Sequence, residues 1–313
     1  MFHVFSTLRF FLRANGSSKV RMLDGRRDDL RRFLASGQRH HFPQPVSPRA
    51  TLIIPVFNHA YHTLACLLSL LGQGGTWLEI MVWDDGSTDE TETLLSRFDN
   101  LRVCKSTTNQ GFLRSVNAAV AAAQGQQIIL LNNDARWMEG SLELALSKFS
   151  YEPNCGVMGA RICLASGGLQ EAGAMIFADG GSYGYLRHRP VDDPRGTEQR
   201  DVDYCSGVLL IFERETFRRL GGFDEIYAPA YYEETDFCLR VWQEGLRCVY
   251  YPGLLIEHFE FGSRPTKKTR DQITRNRKVF LARWGNRLKD WGHFKSFYLL
   301  NEERAAWRRS RRV

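Results

Sequence analysis

The chain has 313 residues, 43% hydrophobic, 25% charged and 12% aromatic, with a net charge of +7. These values exclude a disordered, collagenous or coiled-coil chain; no apolar run reaches the roughly 18 residues that span a bilayer, and the stretch at 10–12, bounded by Arg9 and Arg13, lacks the apolar core and cleavage site of a secretory signal. The charge is segregated: residues 1–48 hold 9 Lys/Arg and 3 Asp/Glu (+6), residues 262–313 hold 16 and 4 (+12), and residues 49–261 hold 17 and 28 (−11).

An acidic body between basic flanks suggests an anionic partner such as a membrane surface or a phosphate-rich ligand. Phe2, Phe5, Leu8, Phe11 and Leu12, with Arg9 and Arg13, read either as a short amphipathic helix for an interface or as a solvated basic helix docked on its own domain. Nucleic acid is disfavoured, because no finger, RNP-type motif or recognition helix stands out and the central acidic excess would repel a phosphate backbone. The proline-rich joint at 43–48 separates this arm from the main domain.

From there strands and helices alternate. The apolar run at 51–57 reads as a buried strand and 61–71 as a helix. A second strand at 78–83 ends in Asp84-Asp85-Gly86-Ser87, and a helix is expected at 89–98. A third strand covers 101–105, an alanine-rich helix 111–123 and a fourth strand 127–131, ending in Asn132-Asn133-Asp134. Another helix covers 141–149. This spacing implies βαβ units and a parallel sheet, with the ligand beyond the carboxyl ends of the strands. Asn58, Asp84 with Asp85, and Asn132 to Asp134 all come directly after strand ends.

The second half is less regular. Residues 157–163 and 208–212 read as strands, and the Gly-, Asp- and Arg-rich segment 165–201 as loops over the site. A helix is expected over 233–244, short strands at 247–251 and 254–257, and a basic helix at 266–290. The seven cysteines are odd in number and never spaced C-x-x-C, which points to buried thiols in a reducing compartment.

The polar motifs carry definite chemistry. A carboxylate at a strand end, as at Asp84, can accept from a pyrimidine N–H or a ribose hydroxyl, or can cap the next helix. Asn132-Asn133-Asp134 gathers three oxygen-bearing side chains, as a hard divalent ion requires, or simply stabilises a turn. Glu233, Glu234 and Asp236 crowd a helix start, where a carboxylate can serve as general base or only complement the helix dipole; Asp236 can also pair with Arg240. His258, ahead of Arg264, Lys267, Lys268 and Arg270, can bind a metal or help those cations hold a diphosphate.

In this order the motifs resemble a family-2 glycosyltransferase with the GT-A fold, over roughly residues 50–262. The resemblance is carried by Ile54-Pro55-Val56-Phe57-Asn58, Val82-Trp83-Asp84-Asp85-Gly86-Ser87-Thr88-Asp89, Asn109-Gln110-Gly111-Phe112 with Asn117, Leu130-Leu131-Asn132-Asn133-Asp134, Gly221-Gly222-Phe223-Asp224 and Glu233 to Arg240. The bacterial rhamnosyltransferase-like and galactofuranosyltransferase-like enzymes of surface-polysaccharide assembly are the most similar subgroup.

The resemblance implies an α/β fold with a mostly parallel, Rossmann-like sheet flanked by helices. It implies a basic arm at 1–48, a transferase domain at 49–262 and a basic helical extension at 263–313. It further implies an inverting hexosyl transfer from a UDP- or dTDP-linked donor to a glycan or lipid-linked acceptor, with Mg²⁺ or Mn²⁺, in the cytoplasm and peripheral on the inner membrane face. Pro55, Val56, Asn58, Asp84, Asp85, Asn109, Gly111, Arg114, Asn132 and Asn133 would then border the nucleotide sugar, with Asn117 supporting the 109–111 loop. Asp134 and His258 would hold the metal or diphosphate. Glu234 would be the base, Glu233 would meet the acceptor, and Asp236 or Glu233 is the alternative base. Two positions depart from the family pattern: its D-x-D is Asn132-Asn133-Asp134, and Glu234 stands where an Asp is usual. A sugar nucleotidyltransferase is disfavoured, since such enzymes open with a Gly-rich, Arg-containing loop where Pro55 to Asn58 stands, and a non-catalytic sugar-nucleotide or glycan-binding module is the other alternative.

Overall fold

The computed structural model describes residues 16–260 and 266–290. The expected amphipathic segment at 2–13 lies outside them, as does Arg264. A first helix, α1 (Gly16–Ser36), leads into the body. Alternation begins with β1 (Ala50–Val56), α2 (Ala60–Ser69), β2 (Leu78–Asp84), α3 (Thr91–Leu95), β3 (Arg102–Lys105), α4 (Phe112–Ala122) and β4 (Gln127–Leu131). Next come β5 (Ala135–Glu139), α5 (Leu142–Tyr151), β6 (Cys155–Leu164), β7 (Leu169–Ala172), β8 (Ala174–Ile176), β9 (Ser182–Gly184), β10 (Arg200–Asp201), β11 (Leu209–Glu213) and α6 (Arg214–Arg219). The described chain closes with α7 (Glu233–Gln243), β12 (Arg247–His258) and α8 (Lys267–Asp290).

Ten strands form one sheet, ordered β10-β12-β6-β11-β4-β1-β2-β3 along its path, with β5 beside β12 and β7 beside β6. The β4-β1-β2-β3 half is parallel. β11 runs antiparallel between β4 and β6, and β6 pairs with β12 in parallel. Every position of β1 is buried, as expected for a strand covered on both faces, so it reads as a continuous apolar run rather than an alternating one. The register pairs Val56 with Asp84, which brings the ends of β1 and β2 side by side.

Two apolar clusters cover the two faces. One contains Leu64 and Leu67 of α2, Leu142 and Leu146 of α5, and Leu30 and Phe33 of α1. The other contains Leu113 and Val116 of α4, Phe237 and Val241 of α7, and Phe280, Trp284 and Leu288 of α8. The second half of the basic arm and the basic C-terminal helix therefore both bury apolar side chains against the sheet. Glu79 in β2 is buried but satisfied, accepting from Thr51 Oγ1 at 2.6 Å, the Gln124 N–H at 3.0 Å and Arg102 at 2.8 Å. Gly125 precedes β4, where an added Cβ would lie 2.3 Å from the Ala50 carbonyl carbon.

Three expectations change. The 165–201 segment is not all loop: β7, β8, β9 and β10 lie in it, strands too short to leave an alternating pattern in the sequence. The two strands expected around 252 are one, β12, whose register shifts between Tyr251 and Leu255; Pro252-Gly253 reads as a break but is absorbed as a bulge. The helix expected over 89–98 is only Thr91–Leu95. All seven cysteines are free thiols, as expected.

Candidate active site

The site lies where β1, β2 and β4 end, closed by the turns before β11 and before α7. At the end of β1, Asn58 and His59 adopt positive φ, a conformation Asn tolerates. The Asn58 N–H donates to Ser87 Oγ at 2.8 Å, and its Oδ1 accepts from the Thr88 N–H at 2.8 Å. Asp84 Oδ1 accepts from the Ser87 N–H at 2.8 Å. The first two strand ends are thus tied into one ledge, which Pro55 and Val56 underlie as buried residues.

The two aspartates divide their work. Asp85 turns to the neighbouring loop and accepts from the Gln110 N–H at 2.9 and 3.0 Å and the Gly111 N–H at 2.8 Å. Both its oxygens are engaged by that backbone, so Asp85 shapes the 106–111 loop. Gly111 has φ +90°, and a Cβ there would sit 2.5 Å from Pro229 Cβ. Asn109 is exposed on the same loop. Arg114 turns toward Glu225, 3.1 Å away, at the surface. Asn117 clamps the Gly222-Phe223 turn, donating to the Phe223 carbonyl at 2.8 Å and accepting from its N–H at 2.9 Å; it therefore supports that turn, not the 109–111 loop.

After β4 the three side chains diverge. Asn133 Nδ2 donates to Thr63 Oγ1 on α2 at 3.1 Å, a contact internal to the fold. Asn132 donates its backbone N–H to the Val208 carbonyl at 3.0 Å, while its Oδ1 is buried with no partner. Asp134 Oδ1 lies 3.2 Å from His258 Nε2. Burial pushes the Asp134 carboxyl up, but His258 outweighs it and holds it down at about 2. Burial likewise pushes His258 down, and Asp134 overcomes this and raises it. Gln170 on β7 meets His258 Nδ1 at 2.7 Å.

These residues fit a divalent cation in part. A carboxylate and an imidazole meet here, with a buried amide oxygen without a partner two residues away on the same turn, and Mg²⁺ characteristically takes one or two carboxylates plus substrate phosphates. Among the described residues no group of three His, Cys, Asp or Glu side chains could hold a metal. Any cation here would need oxygens from its substrate.

α7 starts after Tyr231 and Tyr232, both at positive φ. Glu233 is buried and Glu234 half-buried, and Oε2 of each lacks a partner. Burial pushes both carboxyls up, and the Glu234 charge pushes Glu233 further. Backbone N–H groups at the helix start hold Glu234 back. A Cβ placed on Gly207 would lie 3.8 Å from Glu234 Cγ, and the next residue, Val208, binds Asn132. That turn links the two sides of the site.

Asp236 is held inside the fold. It is fully buried and accepts from Arg240 Nε at 2.8 Å, Trp284 Nε1 at 2.7 Å and the Tyr227 hydroxyl at 3.2 Å. From α8, Asn276 Nδ2 donates to the carbonyls of Tyr227, Ala230 and Tyr231 at 2.7, 2.9 and 2.8 Å. The C-terminal helix thereby fixes the turn that presents Glu233 and Glu234.

Three groups here gave no signal in the sequence: Gln170, Glu171 and Arg26. Arg26 reaches from α1 to His62 Nδ1 at 2.7 Å and Glu257 at 3.1 Å, with its guanidinium 4.8 Å from the Phe259 ring centre. Burial first, and then Arg26, hold His62 down at about 3. The unfolded chain takes up that proton near 6.5, so protonation favours unfolding. The stability that His62 contributes is full above pH 6.5 and falls as pH drops toward 3, by at most about 1.4 kcal/mol per unit. His62→Gln is expected to flatten the pH dependence of the urea midpoint between 6.5 and 4; an unchanged slope would show that His62 is not buried neutral.

With this geometry in hand, known proteins provide a comparison. The model of the family described as Glycosyl transferase family 2 matches residues 51–221. The chain belongs to that family. It is 28% identical over 236 residues to the O-antigen biosynthesis protein RfbC of Myxococcus xanthus, covering 72% of this chain and 18% of that one. It is 27% identical over 204 residues to the N-acetylglucosaminyl-diphospho-decaprenol L-rhamnosyltransferase of Mycobacterium tuberculosis, covering 58% and 66%. It is 26% identical over 250 residues to the uncharacterized protein y4gI of Sinorhizobium fredii, covering 76% and 27%. The chain thus spans less than two thirds of each of these relatives.

Among solved structures, GalNAc-T7 with UDP, GalNAc and Mn²⁺ superposes with a TM-score of 0.57 at 16% identity, covering 74% of this chain and 48% of that one. The mannosyltransferase PcManGT of Pyrobaculum calidifontis, with GDP-Man and Mn²⁺, gives 0.53 at 18%, covering 92% and 79%. The mixed sheet flanked by helices is a GT-A fold. Among the described residues no helix is long and apolar enough to cross a membrane.

Proposed function

We propose that this family-2 member transfers a hexosyl group, with inversion, from a nucleotide diphosphate to a hydroxyl of a glycan or lipid-linked acceptor in cell-surface polysaccharide assembly. The observation that carries the reading is the pair of carboxylates at the start of α7, Glu233 and Glu234, each with an oxygen that lacks a partner, linked through the 207–208 turn to Asn132, next but one to Asp134, which meets His258. The relatives' names support the acceptor class, since one is an O-antigen biosynthesis protein and another is named for a diphospho-decaprenol substrate. The solved neighbours were captured with UDP and GDP-Man, so a nucleotide diphosphate is the natural donor form.

The ledge formed by Pro55, Val56, Asn58 and Asp84 borders the nucleoside, with Asn109 and Gly111 across from it. Asp134, Asn132 and His258 face the diphosphate. Mn²⁺ or Mg²⁺ bound there would neutralise the departing charge. Glu234 takes the proton from the acceptor hydroxyl as that oxygen bonds to the anomeric carbon and the bond to the diphosphate oxygen breaks on the opposite face. A raised pKa suits this task, because a base is most effective when its pKa lies near the working pH. A single displacement inverts the centre, and a diphosphate leaving group needs no second carboxylic acid, unlike the leaving group of a glycosidase. The transferase unit is assigned to 49–262, with the flanks at 1–48 and 263–313 serving as supports and as peripheral contacts to an anionic inner membrane face.

The test is a thermal-shift panel of UDP-, dTDP- and GDP-linked sugars with and without Mn²⁺ or Mg²⁺. A ligand at a hundred times its Kd adds about 2.7 kcal/mol. One nucleotide should stabilise the wild type in a metal-dependent way, and Asp134→Ala should abolish the metal dependence. A folded chain that responds to none of them would overturn the reading.

A further inference from the structure

Arg26 bonds to neither Asp134 nor His258, yet it grips both residues that flank His258. From α1 its Nη2 donates to Glu257 at 3.1 Å, and its guanidinium lies 4.8 Å from the Phe259 ring centre. Its Nη1 donates to His62 Nδ1 on α2 at 2.7 Å, and the His62 ring centre lies 4.6 Å from that of Phe259. The side chains of Arg26 and Glu257 are largely enclosed, at 13% and 15% exposure. Successive side chains of a strand point to opposite faces, so Arg26 holds the end of β12 by the neighbours of His258 and leaves the imidazole to Asp134. The same stretch carries Asp134: the Phe259 N–H donates to the Asp134 carbonyl at 3.1 Å, and His258 lies opposite Ala135 in the β5–β12 register. The 3.2 Å approach of Asp134 to His258 therefore depends on where residues 257–259 sit.

Resting on the transferase reading above, we infer that Arg26 is a positioning residue for the diphosphate side of the site, which makes α1 a working part of the transferase. Docking of α1 does not require a guanidinium, since Leu30 and Phe33 already bury in the core. A buried ion pair adds little net stability, because desolvation offsets the attraction, and apolar side chains of similar volume often serve as well. What the guanidinium supplies is direction. Its planar fork and its flat face fix Glu257, His62 and Phe259 relative to one another, as a flexible apolar chain cannot. Glu257 also keeps a second cation, Arg136, whose Nε lies 2.9 Å from it. Loss of Arg26 thus leaves no carboxylate without a counter-charge, and positioning can be separated from stability.

The experiment titrates the full chain, in Mn²⁺, with UDP, dTDP and GDP, and carries forward whichever binds. Arg26→Met keeps an apolar stem beside Phe259 and deletes both polar contacts. Groups that orient a ligand-binding side chain from behind typically contribute about 10–100-fold in affinity, so the variant should bind the diphosphate at least about fivefold more weakly. Its Tm should fall by no more than about 3 °C. Arg26→Lys, whose single ammonium cannot serve both partners in the same geometry, should lie between it and the wild type. Arg102→Met is the control: it takes a guanidinium from the buried Glu79 beside edge strand β3, and should lower Tm with the diphosphate Kd unchanged. An unchanged Kd in Arg26→Met would overturn the inference. A weaker Kd accompanied by a Tm loss as large as that of Arg102→Met, or an equal weakening in Arg102→Met, would overturn it too, by showing general destabilisation. Binding of none of the three diphosphates by the wild type would instead remove the transferase reading, and the inference with it.

Discussion

Glu234→Gln is expected to slow sugar transfer by about 10²–10⁴-fold, the usual contribution of a positioned general base. Nucleotide affinity should stay within about twofold, because the diphosphate and nucleoside contacts lie on the other wall. The pH profile separates this role from simple packing. Burial raises Glu234, and the base must be ionised to act. The wild-type rate should therefore rise with pH through an acidic limb lying above the ordinary glutamate value, and that limb should vanish in the variant. Glu233→Gln should cost less, since burial and the Glu234 charge raise Glu233 well above its ordinary value and favour its protonated form. Hydrolysis of the nucleotide sugar is the readout when no acceptor is in hand. A larger loss in Glu233→Gln than in Glu234→Gln would move the base by one residue.

The first half of the sheet was legible because parallel strands buried on both faces leave continuous apolar runs, and β1, β2 and β4 each stop at a polar cluster. Asn58, Asp84 and Asn132 emerge from that pattern alone. What each side chain does there was less legible. Asp84 and Asp85 are adjacent and chemically identical, yet one bonds within its own turn and the other holds a loop 25 residues away. Asn132 and Asn133 part in the same way, one oxygen left without a partner and one amide bound to α2. The second half hid its strands because β7 to β10 are only two to four residues long, too short for an alternating pattern. For the same reason Gln170 and Glu171 looked like loop residues. Arg26 lies 231 residues from Glu257, its ion-pair partner, a contact that no local spacing encodes.

Asp236 is the residue whose role changes most, and its replacement should produce the largest loss of stability. The pairing with Arg240 four residues on was readable from helical spacing. The hydrogen bonds from Trp284 and Tyr227 were not, since one partner comes from α8 and the other from the turn nine residues earlier, where no helical spacing applies. Together they enclose the carboxylate completely. Asp236→Ala would leave the Arg240 guanidinium buried, still donating to the Gly222 carbonyl at 2.7 Å but without its counter-charge. Removing one partner of a buried pair costs about 3–5 kcal/mol. For a domain of this size that lowers Tm by on the order of 10 °C. Asp236→Asn keeps the shape and an acceptor oxygen, so it should fall between the two. If Asp236 were instead the base, Asp236→Asn would lose turnover with an unchanged Tm and no acidic limb. The expected result is the reverse: a lowered Tm in thermal unfolding, with the limb set by Glu234 intact in the molecules that remain folded. The same argument applies to α8, whose Trp284 and Asn276 hold Asp236 and the turn before α7. The basic C-terminal helix is thereby part of what keeps the base in place.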